Sequence, residues 1–347
     1  MLIDGNLITD LGSVATRVGE LEDLGYDGAV GVETSHDPFL PIAMAAEHSS
    51  GIELLTEVAI ALARSPMTVA YTAHDLNVFS GGRFVLGIGS QTPAHITKRF
   101  SMPWSAPAAR MREFILALHA IWDAWATGEP LKFRGEFYQH TLMTPFFNPG
   151  ESPYGRPRVF LGALGSKMAE VAGEVADGIL VHPMATDRYM REVSLPAIER
   201  GLAQSGRSRD NFTVGITPFV ISGEDENAIA EVTAAVRLQV AFYGSTPAYK
   251  PVLELHGWGD LQPDLNTLSK QGRWAEMGEL ISDEMLDAFA IRAPLEEVPS
   301  AVARRFGGIP DRLSLNLQWG ADRDRWRAFI AALRQSLPSG VPVATAP

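Results

Sequence analysis

Five short segments of this chain carry side chains that could move a proton or hold an anion. Glu33-Thr34-Ser35-His36-Asp37 places an imidazole in a loop between carboxylates. His36 is therefore either a proton donor to a substrate or a loop histidine capping nearby backbone. Glu57 interrupts an apolar run that continues Val58-Ala59-Ile60-Ala61-Leu62, and a charge there must be paired or line a cavity. Ser90, Gln91, Thr92 and His95 follow the run Phe84–Gly89 (FVLGIG), and His182-Pro183 closes another apolar run; both histidines also read as structural. Gly165-Ser166, after Ala163-Leu164, opens a helical pattern whose first N–H groups and dipole make an anion site, or else an ordinary N-cap. Lys167 adds positive charge there.

Other chemistries fit poorly. GALGSK lacks both the four-residue spacing of a P-loop and the hydroxyl residue after its lysine. No HExxH and no His-x-His near the first strand suggest a metal site, and no Gly-x-Ser-x-Gly elbow offers a serine nucleophile. With no cysteine, the chain has no disulfide, thiolate metal site, iron–sulfur cluster or cysteine nucleophile.

Those residues need elements to position them, and the dominant pattern alternates short β-like runs with helical ones. Leu2–Leu7 reads as a first strand, then Asp10 caps a helix with apolar Leu11, Val14, Ala15, Val18 and Leu21 that stops at Gly25. Strand two is Gly28–Glu33, with a short helix over Phe39–Glu47, and strand three is Ile52–Ala61. Ser65-Pro66 starts a helix that Gly81-Gly82 ends. Strand four is Phe84–Gly89, and a long helix spans Ala106–Ala126 before an aromatic, proline-rich stretch, Phe133–Pro157, that wraps the surface. Strands five to eight are Arg158–Ala163, Gly178–His182, Phe212–Ser222 and Arg312–Leu317, with helices over Lys167–Ala176 and Asp322–Leu337 and a frayed Pro/Ala tail.

Eight strands separated by helices, several of them continuously apolar, imply a parallel sheet buried on both faces. The count fits a (β/α)8 TIM barrel with insertions between strands four and five and between strands seven and eight. A doubly wound open sheet is the alternative, weakened by the lack of a glycine fingerprint after strand one. No linker divides the chain, so residues 1–347 are expected to form a single domain. In a barrel the loops after the strands converge on one face, which would gather the five segments into one site.

Composition narrows the partners. The 347 residues are 46% hydrophobic and 20% charged, as in a protein with a sizeable core. With 29 Lys+Arg against 41 Asp+Glu, the net charge of −12 disfavours nucleic acid or an anionic membrane surface as the main partner. The N-terminus lacks a basic n-region and an apolar h-region, and no apolar run reaches spanning length, so a cytoplasmic location is expected.

Leu54–Gln91 (LLTEVAIALARSPMTVAYTAHDLNVFSGGRFVLGIGSQ), with Ser80-Gly81-Gly82-Arg83-Phe84-Val85-Leu86-Gly87-Ile88-Gly89 inside it, resembles the core signature of the bacterial-luciferase-like flavin and deazaflavin oxidoreductases. Glu33–Ser50, Met102–Trp122 and Gly165–Pro183 are similar to the actinobacterial branch that uses coenzyme F420. The resemblance implies a cofactor lying across the strand ends, its ring against a bulge after strand three where relatives have a non-prolyl cis peptide. The matching bond is Glu57–Val58. It puts His36 near the reactive ring carbon, Ser90 and His95 in the strand-four loop, and Leu164, Gly165, Ser166 and Lys167 at the phosphate. Thr92 stands where some members have a glutamate proton donor, Glu57 where a small residue is common, and Leu55 where glycine is common. His36, Glu57 and Glu33 then remain as candidate acids.

The implied activity is hydride transfer between F420 and a small organic substrate, an alcohol, ketone or activated double bond. The alternatives are an FMN-dependent monooxygenase on the same fold and a non-catalytic flavin- or deazaflavin-binding protein. Trp104, Phe146, Phe147, Phe242, Tyr243, Tyr249 and Trp258 are candidates for the substrate-pocket wall or for core packing. A homodimer is expected by analogy with relatives.

Overall fold

The computed structural model describes residues 1–7, 10–315, 317 and 322–336. Eight parallel strands close a barrel: β1 (Leu2–Asn6), β2 (Gly28–Gly31), β3 (Glu53–Thr56), β4 (Phe84–Gly89), β5 (Arg158–Ala163), β6 (Gly178–Val181), β7 (Thr213–Ile216) and β8 (Arg312–Ser314). Each pairs with its neighbours in chain order, and Leu2↔Arg312 joins β1 to β8, so no edge remains open. The expected TIM barrel is the observed fold.

Side-chain alternation along the strands divides the core in two. Ile3, Leu54, Leu86, Val159 and Ile179 point outward into the large cluster shared with the surrounding helices. Val30, Leu55, Val85, Phe160 and Leu180 point inward and form a separate cluster with Val58. The helices start where the sequence has capping residues. Ser65 accepts from Thr68 N–H at 3.2 Å ahead of Pro66–Phe79, and Asp322 accepts from Arg325 N–H at 3.0 Å ahead of Arg323–Ser336. Asp10 caps a short 3-10 turn, Leu11–Ser13, before the helix Val14–Leu24, which Gly25 ends in the left-handed region at φ 85°.

Several expected boundaries need correction. Strand three does not run through to Ala61: β3 stops at Thr56, the Glu57–Val58 peptide is cis, Ala59–Ile60 pairs again with β4, and Ala61–Ala63 is a 3-10 turn. Strand two ends at Gly31 rather than Glu33. The expected strand seven is two strands. β7 ends before Thr217-Pro218, because proline has no N–H to continue the ladder, and Phe219–Ile221 pairs instead with Ala290–Arg292 outside the barrel. Strand eight ends at Ser314 rather than Leu317; residue 316 and the tail from 337 onward lie outside the described residues.

Both long connections are present. Residues 90–157 carry the helix Pro107–Thr127 and a two-strand hairpin, Phe133–Arg134 with Gln139–His140. The segment after β7 carries Glu226–Gly244, Lys250–Leu255, Leu261–Lys270, Trp274–Glu279 and Asp283–Phe289. Among the described residues no helix is long and apolar enough to cross a membrane.

Candidate active site at the mouth of the barrel

Because all eight strands are parallel, the loops after them open at one end. Glu57 is the first residue past β3, two positions beyond the inward-facing Leu55. Its backbone N–H donates to Gly31 O at 2.8 Å. Thr217 Oγ1, just past β7, donates to Glu57 Oε1 at 2.7 Å, and Ser314 Oγ in β8 donates to Oε2 at 2.9 Å. One carboxyl thus ties together three strands far apart in sequence. Burial pushes it up to about 7; the Thr217 and Ser314 hydroxyls oppose that shift, the Asp4 charge adds to it, and Arg312 is too weak an opposing influence to cancel it.

Val58 turns inward across two glycines. A Cβ on Gly89 would come within 2.8 Å of its Cγ2, and one on Gly162 within 3.0 Å of its Cγ1. The mouth-side inner positions of β4 and β5, Gly89 and Gly162, are therefore kept bare to seat the bulge.

The loop after β2 is fastened to the same bulge. Glu33 Oε2 accepts from Ile60 N–H at 2.7 Å and pairs with Arg64 at 2.7 Å. Arg64 also pairs with Asp37 at 2.9 Å, and Arg99, beyond β4, donates to Thr34 O at 2.5 Å. Glu33 is thus engaged as a strut within an ion pair. His36 stands exposed between the two clamped carboxylates, and no described residue bonds its ring.

Past β4, the Ser90 hydroxyl donates to Gln91 O at 3.2 Å, and His95 is exposed at the start of the π-turn His95–Arg99. Past β5, Leu164 is buried, whereas Gly165 and Lys167 are exposed. Gly165 is the N-cap of Ser166–Val175, and no side chain caps that end, so the Ser166 and Lys167 N–H groups remain available. These donors suit the anionic tail of a cofactor, and the bulge between glycine-bare strands suits a flat ring. Among the described residues no cluster of three or more His, Cys, Asp or Glu could hold a metal ion.

Two contributors were absent from the expected set. Thr217 and Ser314 are short hydroxyl residues in ordinary strand sequence. Tyr243 and Tyr249, both among the candidates for the pocket wall, close on His182 from the β7–β8 insertion with ring centroids 4.6 Å away in each case. The available signal was alternation: in Arg312-Leu313-Ser314 the polar residues share the inward face. Other expected pocket walls sit elsewhere. Phe146 and Phe147 are 89% and 58% exposed, beside Tyr71 on the outer helix Pro66–Phe79, whose hydroxyl donates to Phe147 O at 2.6 Å. Trp258 stacks on His256 at 4.9 Å, and Phe242 packs on Trp274 within the insertion.

Comparison with known proteins gives the family to which this barrel belongs. Residues 4–309 match the family model of the luciferase-like monooxygenases, and the chain belongs to that family. It is 53% identical over 311 residues to the uncharacterized protein Rv1360 of Mycobacterium tuberculosis, covering 90% of this chain and 92% of that one. It is 31% identical over 242 residues to the 5,10-methylenetetrahydromethanopterin reductase of Archaeoglobus fulgidus, covering 67% of each. In structure it superposes on the coenzyme F420-dependent tetrahydromethanopterin reductase of Methanopyrus kandleri with a TM-score of 0.74 at 20% identity, covering 97% of both chains. Chains of the same fold also include an oxygenase from Pseudomonas putida in complex with FMN, at a TM-score of 0.64 and 13% identity, covering 96% of this chain and 94% of that one.

Proposed function

We propose that this protein is an F420-dependent oxidoreductase that transfers a hydride between the deazaflavin and a small organic substrate. The observation that carries this reading is the Glu57 carboxyl, held at the barrel mouth by two neutral hydroxyls and shifted to about 7, so that it can gain or lose a proton near neutral pH. Similarity to proteins named for their dependence on coenzyme F420 supports the choice of cofactor. The bound deazaflavin would supply the hydride-accepting or hydride-donating ring carbon.

The rest is the work of this chain. The Ser166 and Lys167 N–H groups, with the Lys167 ammonium, would hold the phosphate. The Val58 bulge would support the ring, with Ser90 and His95 beside it in the neighbouring loop. An alcohol that loses its carbon-bound hydrogen as hydride must also lose its hydroxyl proton, and the Glu57 carboxylate accepts it; the protonated carboxyl returns it in the reverse direction. His36, set by the Arg64 clamp, is the second candidate for that proton, and Glu33 serves that clamp. The expected homodimer remains part of the proposal by family analogy alone.

The FMN-dependent monooxygenase is the second reading, favoured by the FMN-bound neighbour. Titrating the protein with F420 and with FMN under fluorescence, with an oxygen electrode alongside, separates the two. F420 binding without oxygen uptake supports the proposal, whereas tight FMN binding with oxygen consumption rejects it. F420 binding with no redox change across alcohols, ketones and unsaturated compounds would indicate a non-catalytic binding protein.

A further inference from the structure

His182 stands at the mouth with no part in the proton handling assigned to Glu57 and His36. In the pairing of β6 with β7, Val181 faces Ile216, so the next residues, His182 and Thr217, stand side by side where the strands end. His182 N–H still donates to Ala163 O at 3.0 Å, which carries the ladder and its alternation one residue past β6. Leu180 faces the barrel interior, and His182, two positions on, follows it. Its neighbour Thr217 is the residue that donates to Glu57.

The ring is fixed. Tyr243 meets it edge-on at 83° and Tyr249 lies tilted at 41°, both with centroids 4.6 Å away. Nδ1 accepts the Met184 N–H at 3.2 Å, so a neutral ring carries its proton on Nε2. Burial holds His182 down at about 4 and pushes Tyr249 up to about 12, and no charged group contributes to the His182 shift. The imidazole is therefore neutral at physiological pH, and Nε2–H has no partner among the described residues. Glu57, Thr217, Ser314, His182, Tyr243 and Tyr249 include no cation that would compensate a second carboxylate.

We propose that His182 is the substrate-oxygen donor of this site: its Nε2–H hydrogen-bonds a carbonyl or alcohol oxygen placed beside the Glu57–Thr217 pair, and the pocket takes uncharged carbonyl or alcohol compounds rather than carboxylates. The substrate class named here rests on the hydride-transfer reading above, but the binding step can be examined without it. A fixed neutral donor polarises a carbonyl and tolerates an alcohol. A carboxylate entering beside Glu57 would meet like charge, with only hydroxyls and no cation in contact with that glutamate to offset it.

The test uses the full-length protein, first alone and then with F420. Acetone, cyclohexanone and acetophenone are titrated against cyclohexanecarboxylate, and binding is read by tyrosine fluorescence and by the infrared carbonyl band of the bound ketone. At least one ketone should bind the native protein with its carbonyl band moved to lower frequency. His182→Ala should abolish that shift and weaken ketone binding about tenfold. His182→Gln, which retains an N–H donor, should restore most of both, and F420 affinity should stay level throughout. Cyclohexanecarboxylate should bind at least tenfold more weakly than cyclohexanone. The proposal is overturned if no ketone binds, if His182→Ala leaves band and affinity unchanged, or if the carboxylate binds as well as the ketone. Failure of F420 to bind while the ketone results hold would instead reject the hydride-transfer reading and leave the pocket standing.

Discussion

Glu53 and Glu57 lie four residues apart around one strand, both turned into the barrel, and their surroundings make them different groups. Glu53, at the closed end, pairs with Arg312 at 2.6 Å and with Arg158, and Arg312 also binds the buried Asp4 at 2.5 Å. Burial alone would raise the Glu53 carboxyl, but the Arg312 and Arg158 charges hold it below its ordinary range. Glu57, at the mouth, has two hydroxyls and no cation in contact, and burial wins. Where guanidinium meets carboxylate the barrel is braced. Where only hydroxyls meet it, the proton is left mobile.

The largest expected effect is at the mouth. Glu57→Gln should cut turnover about 10²–10⁴-fold while leaving F420 affinity nearly unchanged, since a positioned acid–base group contributes on that scale. Parallel rate and binding measurements check it, and an unaltered rate would pass the role to His36. Arg312→Leu should act on stability instead, costing about 3–5 kcal/mol because Asp4 and Glu53 lose their buried partner. Urea melts would read this as a lower midpoint.

The two glutamates should also tilt stability against pH in opposite directions. The folded-state pKa of Glu57 is raised, so its contribution is full below the ordinary 4.5 and is lost as pH climbs through about 7. Glu53 is lowered, so its contribution is present above 4.5 and is lost on acidification. Denaturation midpoints across pH should lose the first slope in Glu57→Gln and the second in Glu53→Gln; identical profiles would erase the contrast. The smallest effect concerns the helix start, where Ser166→Asp should weaken F420 binding about two- to fivefold by setting a carboxylate among the phosphate donors. Fluorescence titration measures it.

Much of this contrast was legible before any coordinates. A glutamate within an apolar run had to be paired or line a cavity, and Glu57 lines the mouth. The cis bond fell at the position the family resemblance implied. Eight alternating units announced the barrel, because each buried strand reads as an apolar run. What stayed hidden depended on pairing across long separations. Nothing local marks Thr217 and Ser314 as partners of a residue 160 and 257 positions away. The residue pattern alone also hid the break of strand three at Glu57, which only the family resemblance implied, since the apolar run continues through Ile60 into a 3-10 turn. Pro218, by contrast, was a readable stop that the apolar Phe219–Ile221 run masked.

The protonation of one side chain separates the working mouth from the braced end. Carbon-13-labelled glutamate, with Glu57→Gln used to assign the signal, allows its carboxyl to be titrated by infrared or NMR in the intact protein. A midpoint near 7 is the predicted result. Ionisation at the ordinary 4.5 would leave the mouth as inert as the braced end below it.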